Sequence, residues 1–402
     1  MTDDVTGSVR SLYEAFPYPE RMPGGASDPY LDMVRAFSTC PPTSRLAFLD
    51  AGCGTGVNLL GAATLYPHAD VYGCDINRVA LEDIRRDIAA YGLSNAKVDE
   101  IELSQLPSDY GPEGGFDMIF CTGVLHHMGS PDEALRRLAA RLAPQGVLRL
   151  MVYSEKGRSD LYRFARAAQK LWPAQAWPMS KRVELARGLM AELGRHFQQG
   201  GASPPPLRGT WADANTVGDA EFADRYLNPH DKPYTPAGLK ALIDGAGLRF
   251  LDWFEPREWD LSALLPDLGA GPDVPLDFWE RVELLDELFE RPKYDMYLVG
   301  PEFQRREVEV GASTLLATSP QLFLEQVTVR GNPLAYGARL RTGGIEGVTH
   351  SEGRLLSALG RRFASIRDLC DEWDEEPTAA RLDEAQSLLD RGFLYSPHPP
   401  VG

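Results

Sequence analysis

Between residues 46 and 155, short apolar runs alternate with stretches of helical period. Leu46-Ala47-Phe48-Leu49 leads into Asp50-Ala51-Gly52-Cys53-Gly54-Thr55-Gly56, after which Val57-Asn58-Leu59-Leu60 starts a helical pattern. A second apolar run over residues 69–76 contains Asp75 near its end. Asn77 stands where it can cap a helix in which Val79, Ala80, Ile84, Ile88 and Tyr91 share a face, and Gly92 stops it. Residues 116–122 form an apolar strand opened by Phe116-Asp117. Ser130-Pro131-Asp132-Glu133 signals a helix start, with Leu135, Leu138 and Leu142 as the buried stripe. Pro144-Gln145-Gly146 then ends that helix, and residues 147–153 give a fifth strand. Strands alternating with helices predict an α/β fold with a mainly parallel sheet.

The pattern resumes late. Thr235-Pro236 opens a helix through Leu242 and Ile243, residues 248–254 read as strand six, and residues 294–299 as strand seven. Two insertions therefore interrupt the sheet. One spans about 155–232 and reads as helical, with Trp172, Trp177, Trp211 and a Pro204-Pro205-Pro206 break. The other spans about 255–292, with Trp259, Phe278, Trp279 and Phe289. At the N-terminus, Val9, Leu12, Tyr13 and Phe16 share one helical face ahead of Pro17-Tyr18-Pro19-Glu20. Residues 303–402 form a separate unit. There Thr349 or Ser351, Ser365 and Thr378 open three short helices, and residues 393–395 read as a strand, an order like that of a winged helix. The stretch 305–348 does not resolve from its periodicity.

The loop at Asp50–Gly56 carries the chemistry. Gly52 and Gly54 let the backbone turn sharply and approach a ligand closely. The helix after them offers unpaired N–H groups to a carboxylate, and Asp50 can take a cationic or hydroxyl-bearing group. The dinucleotide fingerprint is G-x-G-x-x-G. Here the third Gly comes one residue early, which disfavours a dinucleotide oxidoreductase. Asp75 lies about 20 residues on, where nucleotide-binding α/β units place a carboxylate on ribose hydroxyls.

The form D-x-G-x-G-x-G resembles motif I of class I S-adenosylmethionine (SAM) methyltransferases. The segments Ile101-Glu102-Leu103 and Val124-Leu125-His126-His127, and the helix before strand six, resemble the same family. The N-terminal Tyr13-to-Pro19 run resembles a segment that precedes the SAM domain in some bacterial members. The resemblance implies a seven-strand Rossmann-like sheet with SAM as cofactor. Its cofactor residues would be Asp50, Ala51, Gly52, Cys53, Gly54, Gly56, Asn58, Asp75, Ile76, Thr122 and Tyr18. Glu102 would face the adenine amino group, with Asp99 and Glu100 as neighbouring alternatives. The implied domains are a helical cap over the cofactor at 1–45, the methyltransferase domain at 46–302 and the winged-helix-like unit at 303–402. The first insertion would be a lid over the acceptor.

Methyl transfer needs a base only when the acceptor must lose a proton. His127, Tyr153 and Arg158 follow strands four and five, and His230 and Tyr234 belong to the densest polar cluster, residues 225–234. His230 and Tyr234 are the first candidates for acceptor contact or base, and Arg158 could clamp a carboxylate. Three readings follow: methylation of an O or N atom of a small molecule, methylation of a peptide docked on the C-terminal unit, or a non-catalytic SAM binder.

Composition narrows the partners. A net charge of −17 argues against nucleic acid, and the third C-terminal helix, with Asp383, Glu384 and Asp390, is too acidic to read DNA. That unit could instead join two copies as a homodimer. The five cysteines are scattered, with neither zinc-ligand spacing nor a disulfide framework, so no metal is expected. The absence of a long apolar run or a basic leader gives the expectation of a cytoplasmic protein without a membrane partner.

Overall fold

The computed structural model describes residues 2–20, 45–198, 216–264, 276–319, 322–329, 332–340, 345–360 and 362–396, with Phe37 and Ala214. Trp211, the Pro204-Pro205-Pro206 break and Cys40 lie outside these residues. Two compact units emerge. The first comprises Met1–Pro29, Arg45–Asp252 and Pro272–Pro301. The second comprises Tyr30–Ser44, Trp253–Gly271 and Glu302–Gly402.

A seven-strand sheet is formed by β1 (Ala47–Ala51), β2 (Asp70–Asp75), β3 (Ala96–Glu100), β4 (Phe116–Thr122), β5 (Leu142–Tyr153), β6 (Arg249–Trp253) and β7 (Lys293–Val299). Its order is β3-β2-β1-β4-β5-β7-β6. Strands β1 to β5 pair in parallel, and β7 runs antiparallel to β5. β1 is central and buried along its whole length. A strand covered on both faces reads as an unbroken apolar run, which is why residues 46–49 carry no polar alternation. Helices α2 (Val57–Leu65), α3 (Arg78–Tyr91), α4 (Pro131–Ala140) and α8 (Pro236–Gly245) connect the strands. Asn77 caps α3 by accepting from the Ala80 N–H, Gly92 ends it in the left-handed region, and Thr235 caps α8 by accepting from the Gly238 N–H.

One boundary differs from the sequence reading. α4 ends at Ala140, and β5 already starts at Leu142, opposite Phe116. Pro144-Gln145-Gly146 therefore lies inside the strand, at an irregularity between Phe116 and Met118. Pro is tolerated where the ladder is broken. Gly146 is required there because a Cβ would stand 2.5 Å from the Phe116 carbonyl oxygen.

The first insertion supplies α5 (Ser159–Leu171), α6 (Met179–Gln198) and α7 (Asp219–Leu227). These helices pack with α1 (Thr2–Ala15) around Leu12, Phe164, Met190, Phe222 and Tyr226. Trp172 lies against this core, whereas Trp177 is exposed. In the second insertion, α9 (Phe278–Phe289) is tied to the sheet by its buried Asp286, which accepts from the Tyr294 hydroxyl at 2.9 Å and from Ser154 Oγ at 3.2 Å.

The second unit contains β8 (Leu315–Thr318) paired on either side with β12 (Ala364–Ser365) and β13 (Leu394–Tyr395). A separate antiparallel meander is built from β9 (Leu322–Val329), β10 (Asn332–Leu340) and β11 (Glu346–Val348). Its helices are α10 (His350–Leu359), α11 (Ile366–Trp373) and α12 (Ala379–Asp390). Thr349, not Ser351, caps α10 in a capping box with Glu352. Ser365 does the same for α11 with Asp368, and Thr378 caps α12. The meander occupies the stretch that periodicity left unassigned. Among the described residues, no helix is long and apolar enough to cross a membrane, and Cys53, Cys74, Cys121 and Cys370 are buried free thiols.

Leu12 is 1% exposed within the α1–α5–α6–α7 core. Leu12→Ala should cost about 2–5 kcal/mol of stability, read as a lowered midpoint in a urea titration.

Candidate functional site

In an open α/β sheet, ligands bind beyond the carboxyl ends of the strands, where the strand order reverses. Here that point lies between β1 and β4. A cavity of about 250 Å³ opens there, lined at the strand ends by Asp50, Asp75, Thr122 and Tyr153. Its floor is the turn between β1 and α2. Gly52, Gly54 and Gly56 all have positive φ, at 79°, 51° and 82°. A Cβ on Gly54 would stand 2.5 Å from the Tyr18 carbonyl oxygen, and one on Gly52 would stand 2.4 Å from the Val124 side chain. The glycine pattern is therefore fixed both by backbone conformation and by close approach.

The turn is held by hydrogen bonds from its own amides. The Gly52 and Cys53 N–H groups donate to the Cys74 carbonyl at 2.8 and 3.0 Å. The Gly54 N–H donates to Asp75 Oδ2 at 2.8 Å, and the Asn77 N–H to Oδ1 at 2.8 Å. Asp50 is 3% exposed, and its Oδ2 has no hydrogen-bond partner. Burial first, and then the Asp75 charge, push the Asp50 carboxyl up to about 7, against the opposing effect of the Leu59 N–H. An unpartnered buried carboxylate oxygen facing a cavity suits an ammonium group.

Residues 6–19 contribute to the lining. Tyr18 and Pro19 line the cavity, and Thr55 Oγ1 donates to the Pro19 carbonyl at 2.8 Å. Thr6, Val9 and Tyr13 of α1 also line it. Asn77 Nδ2 donates to the Tyr13 carbonyl at 2.8 Å, and Thr6 Oγ1 donates to Glu102 Oε1 at 3.2 Å. Ile76, Ile101 and Leu103 give the part of the cavity beside Glu102 an apolar wall. Asp99 accepts from the Tyr110 hydroxyl, and Glu100 pairs with Arg78. Of these three acids, only Glu102 is brought to the cavity.

His127 and Tyr153 also line the cavity, alongside Tyr13. Behind them stands Asp224 of α7, 2% exposed. It accepts from the Tyr13 hydroxyl at 2.7 Å and from the Tyr153 hydroxyl at 3.3 Å, and its Oδ1 is 3.6 Å from His127 Nε2. Burial, then Asp224, raises the Tyr13 and Tyr153 phenols well above their usual range. His127 Nδ1 lies 2.9 Å from the His230 carbonyl, so that nitrogen carries the proton and Nε2 is the open one in the neutral ring. His126 stacks on Tyr153 at 3.8 Å between ring centroids, and burial lowers its pKa.

Ten of the cofactor residues expected from the sequence meet at this cavity: Asp50, Gly52, Cys53, Gly54, Asn58, Asp75, Ile76, Glu102, Thr122 and Tyr18. Ala51 and Gly56 lie outside the lining, Ala51 buried in β1 and Gly56 turning the chain into α2. Of the acceptor candidates, Tyr153 and His127 are at the cavity, and His230, Tyr234 and Arg158 are not. His230 Nε2 is 3.1 Å from the Met128 carbonyl, so its ring is spent on a backbone contact. Tyr234 pairs by its backbone with the end of β5, and its buried hydroxyl has no hydrogen-bond partner. Arg158 lies over the Tyr153 ring at 3.5 Å, and its Nη2 is 3.8 Å from Asp231 Oδ2. His126, His127 and Asp231 each bring a ligand-type atom within 4.8 Å of the others, but the positive charge beside Asp231 is already supplied by Arg158. No described residue of the 155–232 insertion lines the cavity. Residues of α1 and the Tyr18-Pro19 segment line it, and the insertion helices pack against α1. Tyr13 and Asp224 are the members that sequence reasoning missed. Tyr13 was visible as part of an apolar helical face, while nothing marked Asp224.

Three acids with different surroundings thus meet at the cavity: Asp50 with an open buried oxygen, Asp75 bound by the turn amides, and Glu102 beside an apolar wall. Residues 49–148 match a family model described as a methyltransferase domain. An uncharacterized protein of Synechococcus sp. is 31% identical over 329 residues, covering 78% of this chain and 74% of that one. A ubiquinone biosynthesis O-methyltransferase of Bordetella avium is 26% identical over 166 residues, covering 40% of this chain and 64% of that one. The structure of PKMT2 from Rickettsia typhi in complex with AdoHcy shares the fold with a TM-score of 0.70 at 16% identity, covering 95% of this chain and 78% of that one. Sheet order, glycine turn and relatives agree: this chain belongs to the SAM-dependent methyltransferases.

Proposed function

We propose that the protein transfers the methyl group of SAM to an oxygen or nitrogen atom of a small molecule received beside Tyr13, His127 and Tyr153. The observation that carries this reading is the cavity itself. It is lined together by α1 and the Tyr18-Pro19 segment, by the acids Asp50, Asp75 and Glu102, and by the phenol–imidazole group of Tyr13, Tyr153 and His127. In this reading Asp50 takes the ammonium of the methionine moiety, Asp75 the ribose and Glu102 the adenine amino group. The sulfonium supplies an activated methyl group, so the chain mainly has to align an acceptor with it. His127 is well placed as proton acceptor. The His230 carbonyl fixes its tautomer, Nε2 is the basic atom, and Asp224 at 3.6 Å stabilises the imidazolium that forms.

Incubation with methyl-tritiated SAM and a cell extract, followed by size separation, should place the label in the small-molecule fraction. Label on protein would transfer the reading to a peptide acceptor. His127→Ala should lower the labelling rate by about 10²–10⁴-fold with SAM affinity within about twofold; an unchanged rate removes His127 as base.

Asp50 gives a pH signature with a defined sign. Its carboxyl titrates near 7 in the free protein, and a bound ammonium favours the ionised form. SAM affinity should therefore fall as pH drops below about 7, by up to about tenfold per unit, and fall again above about 8 as the ligand's α-amino group loses its proton. Asp50→Asn should weaken binding and abolish the acidic arm, measured by calorimetry between pH 5.5 and 9.

A further inference from the structure

The polar cluster behind the acceptor side has a direction. Tyr13 Oη donates its proton to Asp224 Oδ1 at 2.7 Å and Tyr153 Oη donates to Oδ2 at 3.3 Å. Asn228 Nδ2, at 3.2 Å, donates to the Tyr13 hydroxyl oxygen. Both phenol protons are thus committed to one carboxylate. Tyr13 and Tyr153 line the cavity, and with their protons given to Asp224 the two oxygens have only lone pairs left to offer a ligand, one of those on Tyr13 being taken by Asn228. His127 adds to this polarity, because its Nδ1 proton is held by the His230 carbonyl and Nε2 is left as a lone pair. The charge points the same way. Arg158 is matched by Asp231 at 3.8 Å and Arg225 by Glu221, whereas His127, with Nε2 at 3.6 Å from Asp224 Oδ1, is neutral in this tautomer and brings no positive charge. The carboxylate is 2% exposed, so water screens it little.

We infer that Asp224 is a positioning residue. By holding the Tyr13 and Tyr153 protons, it makes the acceptor side of the cavity accept hydrogen bonds only, so the methyl acceptor must arrive as an N–H or O–H donor. Carboxylates and phosphates are rejected. This rests on the proposed methyl transfer at the same cavity and narrows its substrate class. Asp224 touches neither cofactor nor acceptor in this scheme; it sets the polarity through the two phenols, besides its place beside His127. The arrangement also joins three parts of the chain: α1, the end of β5 and the insertion helix α7.

The test uses two stable ligands of the cofactor site, S-adenosylhomocysteine and sinefungin. Sinefungin carries an amino-bearing carbon in place of the methylated sulfur, so it places an N–H donor where the methyl group would be. Calorimetry on the full chain should give a sinefungin affinity at least about tenfold above that of S-adenosylhomocysteine, the scale of a hydrogen bond to a charged group. In Asp224→Asn, whose amide donates on one side and frees a phenol proton, the ratio should fall towards one, with S-adenosylhomocysteine affinity within about twofold. Tyr13→Phe, which keeps Asp224 in place, should lower the ratio part of the way and serves if Asp224→Asn does not fold. A ratio near one in the native protein, or one unmoved in both variants, overturns the inference. Failure of both ligands to bind would instead overturn the cofactor reading of the cavity.

Discussion

The backbone turn from β1 into α2 is the constraint from which the rest of the site follows. Three residues with positive φ in five positions cannot be built from side-chain-bearing residues without strain. The turn brings the Gly54 amide onto Asp75 and leaves Asp50 buried with an open oxygen. It also clears the space through which the Tyr18 carbonyl passes. A Cβ at Gly54 would disturb both the floor and the roof of the cavity. The raised pKa of Asp50 has the same setting: burial comes first, and the nearby Asp75 charge adds to it.

Where function follows local chemistry, the sequence was readable. Asn77, Gly92, Thr235, Thr349, Ser365 and Thr378 each act as the cap or stop their residue type suggests, because capping depends on a few neighbouring backbone groups. The glycine loop and Asp75 were readable for the same reason. Position alone could not choose among Asp99, Glu100 and Glu102. The choice depends on Tyr110 and Arg78, which draw the first two away.

The acceptor side was less legible because it is assembled from distant parts. The cluster at residues 225–234 attracted attention for its density of polar groups. Its contributions are indirect: His230 offers a carbonyl, and Tyr234 pairs along the backbone. Asp224 looked like any acid on an amphipathic helix, and Tyr13 like a core aromatic. Their roles arise only when α1 and α7 meet beside β5. The β5 start at Leu142 was missed similarly, since Pro144 and Gly146 signal a loop locally but sit in the strand at an irregularity of pairing.

The hydrogen bond between Tyr13 and Asp224 spans 211 positions of sequence. Closing so long a segment carries an entropy cost that grows only slowly with its length, and chains rich in such distant pairings fold slowly. The Tyr13–Asp224 contact exists only where α1 and α7 meet, so it draws on more of the chain than the glycine turn does. The glycine turn and its hydrogen bonds draw on residues 50–77 alone, whereas the cluster of Tyr13, Tyr153 and Asp224 draws on α1, β5 and α7 together, so a change in any one of these three distant elements reaches the same corner of the cavity.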